Sequence, residues 1–539
     1  MGTHARKNRP RAGLLTVVAL PTLVVALTSC TSSGSSSASK TPSPHGKAFT
    51  MALSAPISSL DVSKAAANGA QPIYALTNDL LERLGANGKL NPSLATSVTT
   101  PSDTTIVYQL RPNVKFSNGD ALTSQDVAWS LTRDFASGTP YGGFLTSIKS
   151  VAATSANTVT VTLKTYDPTA RAIIASGGFV YDQSQAQANS KDFGTQSAVP
   201  VGTGPYRLVA WTGNGVTLEQ NPTYWGPKPA VGSFKFTVIT SDNTAQLAMR
   251  SGSIQGALIT NPATIAQWKA ISGTTIYSLP PALVTYLSFD VASAPFDDVH
   301  VRNAIAHAVD RSGLVNAIYH GQANVAQSVV DVSKVGAVAP SLSAAQQFLD
   351  GLPEYNYDLD QAKTEMAKSR YPNGFTTTLP YLASDNPSSV TAQSIQHTLK
   401  SIGITVTLRP LQFSEFYAQL YAHKDLGMQL SSRAGAGTGE PAEFLGILVG
   451  KANAVPNGAN TANYYPPNVE QAWGVLTKSP DRSARWQATQ TILTQMADDL
   501  PYVALFNAPW PFAVSGGFTL SGAASLADVQ NGGLPFLLS

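Results

Sequence analysis

The chain has 539 residues, room for roughly three or four domain-sized units, with 43% hydrophobic and only 12% charged residues. The formal charge of +3 belongs to one end: Arg6, Lys7, Arg9 and Arg11 fall among the first thirty residues, which hold no acid, and the remainder carries −1. A body without a basic run argues against a nucleic-acid binder, and a single cysteine, Cys30, excludes an internal disulfide.

The chain starts with basic Arg6–Arg11 and apolar Gly13–Leu27, then Leu27-Thr28-Ser29-Cys30. The apolar run is too short and proline-interrupted for a membrane span. Small residues ahead of the cysteine fit the lipobox of bacterial lipoproteins. This predicts a signal peptide over 1–29, cleavage before Cys30 and a diacylglycerol on its thiol. Residues 30–47, rich in Ser, Gly and Pro, read as a flexible, lipid-anchored tether.

Phe49–Leu53 reads as a strand, and Tyr74–Leu84 as a helix with Leu76, Leu80 and Leu84 on one stripe. Thr105–Leu110 alternates as a strand. Asn118-Gly119 is a tight turn before a helix capped by Thr123, with Asp126 at N3. Thr158–Lys164 and Phe234–Ile239 alternate again. Between them, Tyr206–Trp211 and Val216–Gln220 form a hairpin around Thr212-Gly213-Asn214-Gly215. Tyr206, Leu208 and Ala210 are expected on one face, Arg207, Val209 and Trp211 on the other. Asn221-Pro222 then breaks the strand and lays Tyr224 and Trp225 on a larger body.

Further on, Thr244–Arg250 is a short helix and Leu283–Asp290 is extended. Asp298 caps a helix carrying Val301, Ile305 and Ala308, and Asp310-Arg311 restarts one that Gly321 closes after Tyr319. Tyr357–Ser369 is helical. The stripe Ile395, Leu399, Ile402, stopped by Gly403 before the strand Thr405–Leu411, is a βα-type repeat. Arg482–Leu500 is a long helix and Pro501–Asn507 a strand.

Catalytic signatures do not appear: there is no H-E-x-x-H, C-x-x-C, G-x-S-x-G or Walker A lysine. His300 and His307 lie two helical turns apart, too far to share a metal. Gly435-x-Gly437-x-Gly439 is not a dinucleotide fingerprint. Tyr464-Tyr465-Pro466-Pro467 is either a cleft wall or a solvent loop.

Four stretches carry a resemblance to the extracellular solute-binding proteins of family 5, the receptors of bacterial ABC importers. They are Gly202-Thr203-Gly204-Pro205-Tyr206 with Asn221-Pro222-x-Tyr224-Trp225; Leu110-Arg111-x-x-Val114-Lys115-Phe116-x-Asn118-Gly119; Pro295-Phe296-x-Asp298-x-His300-Val301-Arg302; and Tyr371-Pro372-Asn373-Gly374-Phe375. Departures include Val62 after Leu60-Asp61, Asn118 for Asp, Ala121 for Pro, Gln255 for an acid and His300 for Arg.

The resemblance implies a two-lobed α/β fold of the periplasmic-binding-protein type (type II), with an extra subdomain in lobe one. Residues 48–285 and 506–539 would form lobe one and 286–505 lobe two. Hinges are expected at Thr285–Phe289 and Ala504–Asn507. It implies a monomeric lipoprotein, outside the cytoplasm and anchored to the cell membrane. It would capture a peptide or peptide-like small solute and hand it to an ABC permease, without enzymatic activity, cofactor, metal or nucleic acid. An anchored secreted hydrolase and a ligandless surface scaffold are the alternatives.

Arg433, Glu440, Tyr286, Tyr464 and Trp510 are the expected ligand residues. Peptide-binding relatives place an aspartate in the loop matching Ser431–Glu440, where it meets the peptide amine. Here no Asp is present, and Arg433 offers a planar donor fork suited to a carboxylate or phosphate.

Overall fold

Two long antiparallel strands organise the molecule, Thr275–Phe289 and Tyr502–Val514. The computed structural model describes residues 46–64, 70–85, 89–139, 141–143, 145–433, 439–521, 525–530 and 532–539; the expected signal peptide and the expected lipidation site, Cys30, lie outside them. The two strands pair in two stretches, Thr275–Leu279 with Val514–Trp510 and Leu283–Ser288 with Ala508–Tyr502. Between these the register shifts where Pro280, Pro281 and Ala282 oppose Pro509. Proline has no N–H to donate, so the ladder is interrupted there.

The apolar core changes sides at the same place. Leu279, Phe512 and Val514 pack with Phe49, Tyr74 and Phe234. Val284, Tyr286 and Ala504 pack with Leu445, Ile492 and Met496, and Leu287, Phe289 and Phe506 with Val301, Ile305 and Ile395. Two lobes are thus threaded on one strand pair. By contrast, Thr285–Phe289 and Ala504–Asn507, where the hinges were expected, lie within the second paired stretch, with one register shift between Thr285 and Tyr286.

In the first lobe Ala48–Leu53 lies parallel to Ser233–Val238 and to Gly256–Leu258. The hairpin Tyr206–Thr212 and Gly215–Gln220 extends this sheet to its edge. A register shift between Leu208 and Ala210 breaks the expected alternation. Ala210 is exposed and Trp211 packs against the core instead. A separate four-stranded sheet, Ala95–Ser102, Thr105–Leu110, Thr158–Leu163 and Ile148–Ser155, has its own core with Tyr108, Val127, Leu131 and Val161. Its helix Ser124–Asp134 carries the expected Thr123 cap, and Asp126 at N3 returns a bond to complete a capping box.

The expected helix Tyr74–Leu84 is shorter than the leucine stripe suggests. It spans Gln71–Thr77, and Glu82–Leu84 is a strand paired with Leu90–Pro92. The carbonyls of Leu80 and Leu81 are taken by the amides of Leu94 and Ala95, so tertiary pairing overrides the helical period.

The Gly202–Tyr206 motif is a packing device. The side-chain hydroxyl of Thr203 donates to the fully buried carboxylate of Asp79 at 3.0 Å, beside Trp225 Nε1 at 2.8 Å and the guanidinium of Arg83. A Cβ on Gly202 would sit 2.1 Å from Asn78 Oδ1, and one on Gly204 2.5 Å from the Leu76 carbonyl oxygen. Arg111 lies over the Trp225 ring at 4.3 Å, which ties in the second motif.

In the second lobe, Phe375–Leu382 and Ile404–Leu411 are parallel and joined by the helix Asn386–Lys400, the expected βα repeat. Asp298 and Asp310 cap the helices Val299–Ala308 and Arg311–Tyr319. Arg302 is buried and donates to the carbonyls of Asp499 and Phe296 at 2.7 and 2.6 Å. At the fourth motif, Gly374 has φ +81°, and a Cβ there would meet the Gly403 carbonyl oxygen at 1.9 Å.

Candidate functional site

Arg433 ends the strand Met428–Arg433, which pairs with the second stretch of Thr275–Phe289 and sets Arg433 opposite Val284. Its guanidinium hydrogen-bonds the Tyr286 side chain and is close enough to Tyr417 and Tyr421 to feel both electrostatically. Those two belong to the helix Phe413–Tyr421, where residues four apart share a face. Phe413 stands 4.6 Å from Tyr417, which stacks on Tyr421 at 5.8 Å. Burial raises the pKa of Tyr286 and of Tyr417, against a lowering by Arg433.

The next carboxylate that Tyr417 senses, Asp385, caps the helix Asn386–Lys400 through Ser388. Beside it, Asn386 Nδ2 donates to Asn261 Oδ1 of the first lobe at 3.0 Å. This group of side chains therefore sits where the lobes meet.

Glu440 is placed differently. Its carboxylate accepts from Arg485 Nη1 at 2.6 Å, and Arg485 is buried. Burial raises the Glu440 pKa, opposed by Arg485. Across from the pair stands Tyr166 of the subdomain, which feels both charges. Glu440 and Tyr166, with Ser102, Asp103, Asp167 and Arg171, line a cavity of about 520 Å³ between the subdomain and the second lobe. Residues 434–438, the middle of the expected ligand loop, lie outside the described residues.

Trp510 lines a pocket of about 180 Å³ in the first lobe with Ser54, Thr240, Ser241 and Thr260. The pocket lies at the C-terminal ends of the parallel strands, where open α/β sheets take ligands. Trp510 Nε1 is buried with no hydrogen-bond partner among the described residues. Tyr464, in contrast, is buried in the second-lobe core and donates its hydroxyl to Asp499 Oδ2 at 2.6 Å.

The structure thus joins Arg433 with Tyr286, gives Glu440 to Arg485 and Tyr464 to Asp499, and puts Trp510 in a pocket of its own. Tyr417 and Tyr421 escaped sequence reasoning. Their signal was the aromatic spacing of four in Phe413, Tyr417, Tyr421.

Another cavity, about 660 Å³, lies in the second lobe between Arg311, Leu349, Glu354 and Met496. Arg311 turns its guanidinium to the carbonyls of Ala326, Ala504 and Tyr355. His300 pairs with Glu365 and His307 with the Asn356 carbonyl. Among the described residues no group of three or more His, Cys, Asp or Glu is arranged to hold a metal, and no helix is long and apolar enough to cross a membrane.

Comparison with known proteins places this geometry. The family described as bacterial extracellular solute-binding proteins, family 5 middle, matches residues 89–455. Heme-binding protein A of Haemophilus influenzae is 25% identical over 465 residues, covering 80% of this chain and 81% of the relative. Glutathione-binding protein GsiB of Escherichia coli K12 is 26% identical over 427 residues, 77% of this chain and 80% of the relative. Among solved structures, the periplasmic binding protein DppA of Helicobacter pylori in complex with the peptide STSA superposes with a TM-score of 0.75 at 21% identity, covering 92% and 98% of the two chains. AgaA of A. tumefaciens R10 in complex with agropinic acid superposes with a TM-score of 0.74 at 22% identity, covering 91% and 98%. The fold is the two-lobed α/β fold of these binding proteins.

Proposed function

Since the chain belongs to the bacterial extracellular solute-binding proteins of family 5, we propose that it is the substrate-binding lipoprotein of an ABC importer. It captures a peptide or peptide-like small solute between its lobes and delivers it to a membrane permease. Lobe one is residues 48–285 with 506–539 and lobe two is 286–505. Cys30 is the lipid-anchored mature N-terminus.

The observation that carries the reading is the break in the paired strands at Pro280, Pro281 and Pro509, where the core changes lobes. A strand pair without ladder bonds at that point bends at low cost, and a receptor needs only a difference in affinity between its open and closed states. Arg433 faces the solute, the buried Tyr286 holds its guanidinium, and Trp510 meets the solute from its first-lobe pocket. Glu440, neutralised by Arg485, borders it. Tyr464, its hydroxyl spent on Asp499, is not retained among the ligand residues.

The test is ligand-dependent thermal stabilisation across peptide and organic-acid pools, with mass spectrometry of whatever co-purifies. A solute at one hundred times its Kd stabilises by about 2.7 kcal/mol. A protein that co-purifies with nothing and responds to no solute class overturns the reading in favour of a ligandless scaffold.

A further inference from the structure

Among the described residues, the side chains that bear most strongly on Arg433 are of one chemical kind. Tyr286, Tyr417 and Tyr421 are phenols, and a phenol is neutral near pH 7. Phenols can solvate a guanidinium but cannot neutralise it. A positive charge kept in such surroundings retains its attraction for an anion. The same hydroxyls can also donate, so the arginine fork and the tyrosine O–H groups together form a donor set for an oxyanion. Asp385, the acid that Tyr417 senses, is spent on capping its own helix.

A second observation concerns what lies next to this charge. The rings of Phe413, Tyr417 and Tyr421 form a ladder, 4.6 and 5.8 Å between centroids, with Tyr417 and Tyr421 nearly parallel at 24°. At its far end Phe413 is 61% exposed. A large aromatic left open on the same helix as the tyrosines that meet the cation offers a flat apolar surface to the body of whatever the cation holds.

Resting on the solute-binding reading above, we propose that the solute is an oxyanion, a carboxylate or phosphoryl group, borne on a flat apolar body. The anionic head sits on Arg433 with the Tyr417 and Tyr421 hydroxyls, and the body lies against Phe413.

Four probes test this by thermal shift and calorimetry on the mature chain: N-acetylphenylalanine, phenyl phosphate, the neutral N-acetylphenylalaninamide, and ringless N-acetylalanine. One or both ring-bearing anions should bind at least about tenfold more tightly than the amide, because a hydrogen bond to a charged group is lost with the charge; which of the two does so identifies the head as carboxylate or phosphoryl. N-acetylalanine should also bind more weakly. Arg433→Gln should erase the preference for the acids. Tyr421→Phe, which removes only a hydroxyl, should weaken them several-fold, and unliganded melting of both variants reports the fold. Phe413→Ala should remove the advantage of the ring while sparing N-acetylalanine.

Failure of both ring-bearing anions to bind more tightly than the amide overturns the proposal, as does anion binding unchanged in Arg433→Gln. Binding of free-amine peptides with no response to either anion overturns it too, yet leaves the solute-binding reading standing. Silence toward every solute class removes that reading instead.

Discussion

Trp225 donates its indole N–H to the carboxylate of Asp79 at 2.8 Å, across 146 positions of sequence. Asp79 is fully buried and also takes Thr203 and Arg83. Losing one donor leaves a buried charge short of a partner, at a cost of about 1.5–3 kcal/mol. Trp225→Phe and Thr203→Val should each destabilise by that order in urea unfolding. The double variant should fall short of additivity because both act on one carboxylate. Additive losses would show that the two donors do not share Asp79.

Asp134 supplies a pH dependence. It is fully buried, neither carboxylate oxygen has a hydrogen-bond partner among the described residues, and Arg133 Nη1 is 3.6 Å away. Arg133 also binds Asp61. Burial pushes the Asp134 pKa well above the usual range, with Arg133 opposing and Asp61 reinforcing. The folded state therefore holds a proton that the unfolded state has released. Its contribution is present in full below the unfolded pKa and is lost as pH rises through the raised folded pKa. Unfolding free energy should fall from about pH 4 upward, and Asp134→Asn should flatten that slope. Identical pH profiles would refute the assignment.

The sequence disclosed most elements because their signals are local: the Thr123–Asp126 cap, the Asn214-Gly215 turn, the alternation of Thr158–Leu163. It misjudged Leu80–Leu84, where helical spacing of leucines lost to pairing with Leu90–Ala95. The motif glycines were visible, but not their reason, since the atoms that forbid a Cβ at Gly202 belong to Asn78. The candidate site was legible only as single residues. Arg433 meets Tyr286 because their strands are neighbours, and no local pattern specifies that pairing. Glu440 is an acid in the expected ligand loop, and nothing local shows that Arg485, 45 positions on, occupies its carboxylate.

Closure should bend the molecule at Leu279–Leu283 and Ala508–Trp510, where the ladder is broken. Small-angle scattering with saturating solute should show compaction. Amide exchange should be faster at Leu283 than at Leu287, which lies inside the paired stretch and the core. An unchanged radius of gyration with proven binding would remove the closure mechanism.

The proposed anchor would depend on one atom, the thiol of Cys30. Cys30→Ser should move the protein from the membrane to the soluble fraction, because a single cysteine leaves no second site for the lipid. If both forms fractionate alike, the lipoprotein assignment fails.

At the proposed site a peptide amine would find a poor partner. Glu440 is already joined to Arg485 at 2.6 Å, and Arg485 is buried. Recruiting Glu440 to an amine would leave that arginine uncompensated, a loss that offsets the new ion pair. Arg433, on the other side of residues 434–438, repels an amine outright. Free-amine dipeptides should therefore bind more weakly than their N-acetylated counterparts, by about tenfold if one charge-assisted hydrogen bond separates them. Glu440→Gln should leave this order unchanged. Calorimetry on matched pairs decides the matter: tight binding of the free peptides that survives Arg433→Ala and disappears in Glu440→Gln would assign the amine to Glu440 and restore an ordinary peptide receptor.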